Sequence, residues 1–294
     1  MLFSDAFWII GTGFLVAVTC GLLGCFLLLR KMTMIGDAIS HAVLPGIVLA
    51  YLVTGSRASL PLLLGAAAFG MLVTVLIELL NKNGKLREDA AIGVSYTWLF
   101  AIGVIMVSLF ADSVDLDQDC VLYGELAYVP LDTLEIAGID VGPSAFWLLL
   151  INLLVVVAFI AIGYKGLLIT SFDPVLAMSL GISVSLWHYL LMGLVSVTTV
   201  LSFESVGAIL VVAFLVGPPA TAFLLTESLT KMLWLTALVS LLATLLGFTI
   251  AFVTDGSVAG AMALAIGLLF TLALLKKKLF NTKEPKNTVP ANPV

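Results

Sequence analysis

The sequence predicts an all-α polytopic membrane protein: a bundle of about nine membrane-spanning helices with one short helix lying between spans. Three observations predict it. First, 62% of the 294 residues are hydrophobic and only 11% are charged, against about a quarter charged in soluble domains. Second, the apolar residues fall into runs of roughly 20, the length a helix needs to cross the hydrocarbon core. Third, all but one of the 13 Lys and Arg residues fall on one side when these runs alternate across a bilayer. One missed or extra helix would scramble that asymmetry.

The runs cover about 7–29, 33–54, 60–80, 91–111, 144–163, 185–201, 206–226, 232–253 and 258–275. The first has no basic flank or clear cleavage site and is too long for a signal peptide, so it reads as a permanent span. Arg30, Lys31, Lys82, Lys85, Arg87, Lys165, Lys231 and the lysines from Lys276 to Lys286 share one face, and Arg57 stands alone on the other. Lys and Arg mark the cytoplasmic face. The reading is therefore a multi-pass membrane protein, N-terminus outside and C-terminus in the cytoplasm. Residues 1–280 form the transmembrane domain, and 281–294, polar and Pro-rich, read as a disordered cytoplasmic tail.

The net charge of −5 averages two unlike faces. Residues 112–143 carry Asp112, Asp115, Asp117, Asp119, Glu125, Asp132, Glu135 and Asp140, with no Lys or Arg between Arg87 and Lys165. This outer segment is long for a connection and compatible with short helices. It could concentrate cations through its field or receive a partner protein. The three cysteines form neither a metal-type pair nor a disulfide framework.

The second run holds Gly36-Asp37-Ala38-Ile39-Ser40-His41-Ala42-Val43-Leu44-Pro45-Gly46. Asp37 and His41 are four residues apart, so they share one helix face. Ionisable groups inside a span usually mark a pathway or site. Carboxylate with imidazole suits a divalent cation such as zinc or manganese. The competing reading makes Asp37 a helix cap and His41 a hydrogen-bonding partner of a neighbouring helix. Two ligands are an incomplete shell; a symmetric dimer with this helix at its axis would supply two Asp and two His. Pro45-Gly46 is expected to loosen the helix at the same depth.

Two later segments stand out. In Ser171-Phe172-Asp173-Pro174-Val175-Leu176-Ala177-Met178-Ser179-Leu180-Gly181, Asp173 suits an N-cap, Pro174 the first helical position and Gly181 the stop. It reads as a two-turn helix, either a passive turn or a docking element exposing Val175, Leu176 and Met178. The run from Val206 to Ala222 contains Pro218-Pro219, expected to kink its helix. Glu204, just before it at the outer mouth, is either a solvated acid or a ligand for incoming ions.

Together these segments resemble the permeases of zinc/manganese-class ATP-binding-cassette importers. The resemblance runs from Arg30 to about Ala273 and rests on 36–46 and on Val-Gly-Ala-Ile-Leu-Val-Val-Ala-Phe-Leu-Val-Gly-Pro-Pro-Ala-Thr-Ala at 206–222. Leu122-Tyr123-Gly124-Glu125-Leu126-Ala127-Tyr128-Val129 and Phe172-Asp173-Pro174 through Gly181 add to it. The resemblance implies a homodimeric pore, with Asp37 and His41 as its intramembrane metal ligands. It implies 173–181 as the coupling helix for a cytoplasmic ATPase, and an external or periplasmic metal-binding protein. Zn2+ or Mn2+ is then cargo, and no permanently bound cofactor or nucleic acid is expected. The chain has no Gly-x4-Gly-Lys-Ser/Thr phosphate loop, so it is not itself the ATPase.

A proton-driven secondary transporter is the rival reading, since it too would place Asp and His in a membrane. Inverted repeats, its usual signature, are not evident. An intramembrane aspartyl protease would need a second buried carboxylate and a Gly at position 34, where this chain has Met34. With only His41 and His188, a His-Glu-x-x-His zinc protease is excluded. His188 reads as an interfacial histidine.

Overall fold

The computed structural model of the chain describes residues 3–55, 59–110, 126–136 and 139–281. Among these, nine helices are long and apolar enough to cross a membrane. They are α1 (Phe3–Leu29), α2 (Ile35–Thr54), α3 (Ser59–Lys82), α4 (Glu88–Phe110), α5 (Ser144–Phe172), α7 (Val184–Val206), α8 (Ala208–Leu225), α9 (Leu229–Thr254) and α10 (Val258–Asn281). The tenth, α6 (Pro174–Ser179), is the short helix between spans.

Several helices outrun their apolar stretches, α5 and α7 among them. α5 continues past 163 to Phe172 and carries Lys165 within it. A Lys stem can lie along the helix while its ammonium reaches water, so charge does not end the helix. α7 reaches Val206 instead of 201 and keeps Ser202, Glu204 and Ser205 helical. A hydropathy count measures the greasy part of a helix, not its hydrogen-bonded length.

α1 is the most enclosed of these helices, with Cys20, Leu23, Cys25 and Phe26 fully buried. A Cβ added at Gly24 would lie 1.9 Å from the Leu215 carbonyl oxygen, so α1 and α8 meet backbone to backbone. Lipid tails are as apolar as Leu, so close packing and interhelical hydrogen bonds must hold such a bundle. Asn152 of α5 donates to Thr198 of α7 at 3.1 Å. Ser196 donates to the Ala67 carbonyl at 2.9 Å, and Ser240 to that of Ala17 at 3.1 Å. Each such bond contributes about 0.6–2 kcal/mol.

The loosening expected at Pro45-Gly46 is not found: α2 is helical from Ile35 to Thr54, with Pro45 buried inside it. A Cβ at Gly46 would meet the Gly65 carbonyl oxygen at 2.5 Å, and one at Gly103 would meet Pro45 Cδ at 2.8 Å. α2 is thus clamped between α3 and α4, and Gly46 is a packing residue. Pro218 and Pro219 are likewise buried inside α8, which stays helical through them. Neighbouring protein covers the backbone groups that proline leaves unbonded.

The segment between α4 and α5 contains a 3-10 turn, Leu126–Leu131, then an antiparallel ribbon of β1 (Thr133–Ile136) and β2 (Ile139–Pro143). A short helix of the expected kind is thus present, and among the described residues it is followed by a hairpin, for which β-branched Thr133, Ile136, Ile139 and Val141 are well suited. The acids from 112 to 125, the first half (122–125) of the 122–129 segment, Arg57 and the tail from 282 to 294 lie outside the described residues, while 126–129 form the start of the 3-10 turn.

Candidate functional site

Helix α2 begins at Ile35 with Met34 as its N-cap, and no side chain caps it. Asp37 therefore sits inside the first turn, and its carboxylate is not spent on capping. Its carbonyl oxygen accepts from Ser40 Oγ at 2.6 Å. His41 follows one turn on, and its Nε2 lies 3.7 Å from Asp37 Oδ1. That is too long for a hydrogen bond. It is close to the spacing of two ligands of one ion: bonds of about 2.1 Å at a tetrahedral angle put the two atoms roughly 3.4 Å apart.

The imidazole is oriented by α4. It stacks on Tyr96, ring centroids 5.3 Å apart and planes at 27°, and meets the edge of Phe100 at 5.6 Å. Gly103 brings α4 close enough for this, through its contact with Pro45. Among the described residues, aromatic contacts and not a hydrogen bond to a neighbouring helix position the ring. The side chains of Asp37 and His41 remain 45% and 36% exposed. Met34 and Leu52 of α2 and Phe100 of α4 are exposed with them. Among the described residues no three His, Cys, Asp or Glu side chains gather to hold a metal ion, so one chain offers two ligands.

At about 1.5 Å per residue, Asp37 and His41 lie in the first third of α2, nearest the end bearing Arg30, Lys31, Lys82 and Lys165. At this same end lies α6. Asp173 Oδ1 accepts the Leu176 N–H at 2.9 Å, Pro174 opens the helix, and Gly181 takes φ +75° just beyond it. Val175, Leu176 and Met178 are exposed while Ala177 is fully buried. The six residues singled out for docking thus form one capped helix with an apolar outer face.

A second polar cluster lies at this end and was not evident from the sequence. Glu78 of α3 accepts from Lys82 and from Tyr189 of α7. His188 Nε2 stands 4.0 Å away from Glu78, so this histidine, near the start of α7, faces the neighbouring helix α3. Arg30, Glu78, Glu88 and His188 line a cavity of about 230 Å3. Only the Glu78/Lys82 spacing, one helical turn, hinted at it. At the other end of α7, Glu204 is exposed and lines a cavity of about 440 Å3 with Asp132, Tyr128 and Ser205.

Comparison with known proteins places this arrangement. The model of the ABC 3 transport family matches residues 4–277. The chain is 51% identical over 268 residues to the manganese transport system membrane protein MntD of Bacillus subtilis, covering 91% of this chain and 90% of that protein. It is 43% identical over 262 residues to the zinc transport system membrane protein TroD of Treponema pallidum, covering 88% and 71%. The solved structure of PsaBC from Streptococcus pneumoniae in complex with Fab superposes with a TM-score of 0.77 at 31% identity, covering 96% of each chain.

Proposed function

The chain belongs to the ABC 3 transport family, and from that premise we propose that it is the permease subunit of an ATP-driven importer of divalent metal ions, manganese or zinc. ATP hydrolysis belongs to a separate subunit. Two copies of the chain would form the pathway, each contributing Asp37 and His41. The observation that carries this reading is the open face of α2, where a carboxylate and an oriented imidazole stand half-exposed on a membrane span. Hydrocarbon is a costly neighbour for such a face; a second copy would cover it.

Charge supports a divalent cargo. Two carboxylates from two copies carry −2, which a +2 ion neutralises. A monovalent ion would leave net charge in a low dielectric, at a cost of several kcal/mol. The two imidazoles complete a four-ligand set and favour a borderline ion over calcium or magnesium. The relatives named for manganese and for zinc agree with that donor set. The site must hold the ion well enough to replace lost hydration and loosely enough to release it.

The N-terminus is assigned outside, which puts α6 in the cytoplasm for the ATPase and the 3-10 turn and hairpin outside for a metal-binding protein. The proton-coupled alternative has no support from the family and leaves α6 without a role. Reconstituted in vesicles with its ATPase, the chain should move Mn2+ or Zn2+ only when ATP is supplied. Uptake driven by a proton gradient without ATP would overturn the reading.

A further inference from the structure

Arg30 is the first residue beyond α1, and its guanidinium reaches across to the end of α5. Nε donates to Ser171 Oγ at 3.0 Å and Nη2 to Thr170 Oγ1 at 3.0 Å. Thr170 is 5% exposed, and its hydroxyl donates in turn to the Gly166 carbonyl at 2.8 Å. The hydroxyls of two successive residues are thus gripped by one planar fork, a geometry that the point charge of Lys would not reproduce.

Both sides of this contact are short of slack. On the α5 side, the Asp173 N–H closes α5 on Ile169 at 2.9 Å while its carboxylate caps α6. Thr170 and Ser171 are therefore tied to the docking helix through Asp173. On the other side, Lys31 adopts φ +62°. Its N–H donates to Leu28, that of Met32 to Leu27 and that of Ile35 to Met32. This hydrogen-bonded turn leads directly into the first turn of α2, which carries Asp37.

Arg30 also shares a cavity with an acid. Burial lowers its pKa to about 10, so it remains a cation at neutral pH, yet among the described residues no carboxylate stands within ion-pair distance of it. Glu88, at the start of α4, lines the same cavity of about 230 Å3, and its Oε1 is enclosed without a hydrogen-bond partner among the described residues. Neutral hydroxyls release a guanidinium at lower cost than a buried carboxylate would. α4 is the helix whose Tyr96 and Phe100 orient His41.

We propose that Arg30 is a positioning residue for the metal pair, exchanging between the Thr170/Ser171 hydroxyls and the Glu88 carboxylate as α6 moves. This links docking-helix movement to both ligand-bearing surfaces, Asp37 through the α1–α2 turn and His41 through α4. The inference rests on the permease reading given above.

The test uses the assembled permease–ATPase complex in vesicles, with Mn2+ uptake and ATP hydrolysis measured on the same sample. Arg30→Gln, Glu88→Ala and the double variant Thr170→Val/Ser171→Ala should each lower Mn2+ moved per ATP by about tenfold, the factor expected for losing one charge-assisted hydrogen bond. Thr170→Ser should restore the wild-type ratio. Combining Arg30→Gln with Glu88→Ala should cost no more than either alone. A purely structural role would lower the amount of assembled complex and leave the ratio unchanged, and that result overturns the proposal. Asp37→Asn serves as the control: if wild type transports, Asp37→Asn does not, and Arg30→Gln keeps the wild-type ratio, the Arg30 inference alone fails. If the wild-type complex shows no ATP-dependent uptake, both readings fail.

Discussion

Gly46 of α2 and Gly65 of α3 pack with their backbones in contact: a Cβ on either would lie 2.5 Å from the carbonyl oxygen of the other. Nothing larger than hydrogen fits between them. This contact fixes how far α2, and with it the Asp37–His41 pair, stands from the rest of the bundle. Gly65→Leu should wedge the helices apart, at a cost of about 1–3 kcal/mol from overpacking. The expected result is reduced metal uptake per assembled complex, together with a lower melting temperature of the purified protein. Unchanged stability and uptake would show that the close approach is not needed.

Tyr96 and Phe100 hold the His41 ring from α4. Tyr96→Leu combined with Phe100→Leu keeps apolar bulk and removes the ring faces. Loss of such a supporting shell typically weakens a metal site about 10–100-fold. Half-maximal Mn2+ uptake should therefore shift to higher concentration by at least tenfold, with assembly intact. A wild-type concentration dependence would mean that packing on α4 does not orient the imidazole.

Val175, Leu176 and Met178 form the exposed apolar face of α6. Leu176→Glu places an unpaired charge in the interface with the ATPase, where desolvation costs several kcal/mol. It should abolish co-purification of the ATPase while leaving the permease folded in detergent. Normal co-purification would remove α6 from the docking role.

The assigned orientation can be checked by labelling. Arg87, between α3 and α4, and Ser257, between α9 and α10, are exposed and lie at opposite ends of the bundle. In a cysteine-free background, Ser257→Cys should react with an impermeant maleimide on intact cells, and Arg87→Cys only after permeabilisation. The reverse pattern would invert the orientation and place α6 outside.

Nine spans and the capped α6 are legible in the sequence because each rests on local physics: apolar length, one-sided Lys and Arg, and Asp-Pro followed by Gly. The Asp37–His41 pair is legible for the same reason, since i and i+4 fix a common face whatever surrounds them. Gly46 is not, because its role depends on Gly65 of another helix. The same holds for Arg30, whose hydroxyl partners lie some 140 positions away. The hairpin after Leu131 is hidden by short strands within an acidic stretch. The proposed second copy of the chain is argued only indirectly, from a pair of ligand types too few to complete a metal shell.

The central claim is that Asp37 and His41 bind the transported ion. Its most direct measurement is Mn2+ and Zn2+ uptake per assembled complex in Asp37→Asn and His41→Ala. The account predicts a fall of at least about a hundredfold in each, beyond what supporting residues cost, with assembly and melting temperature near wild type. Wild-type uptake per complex in both variants would contradict it.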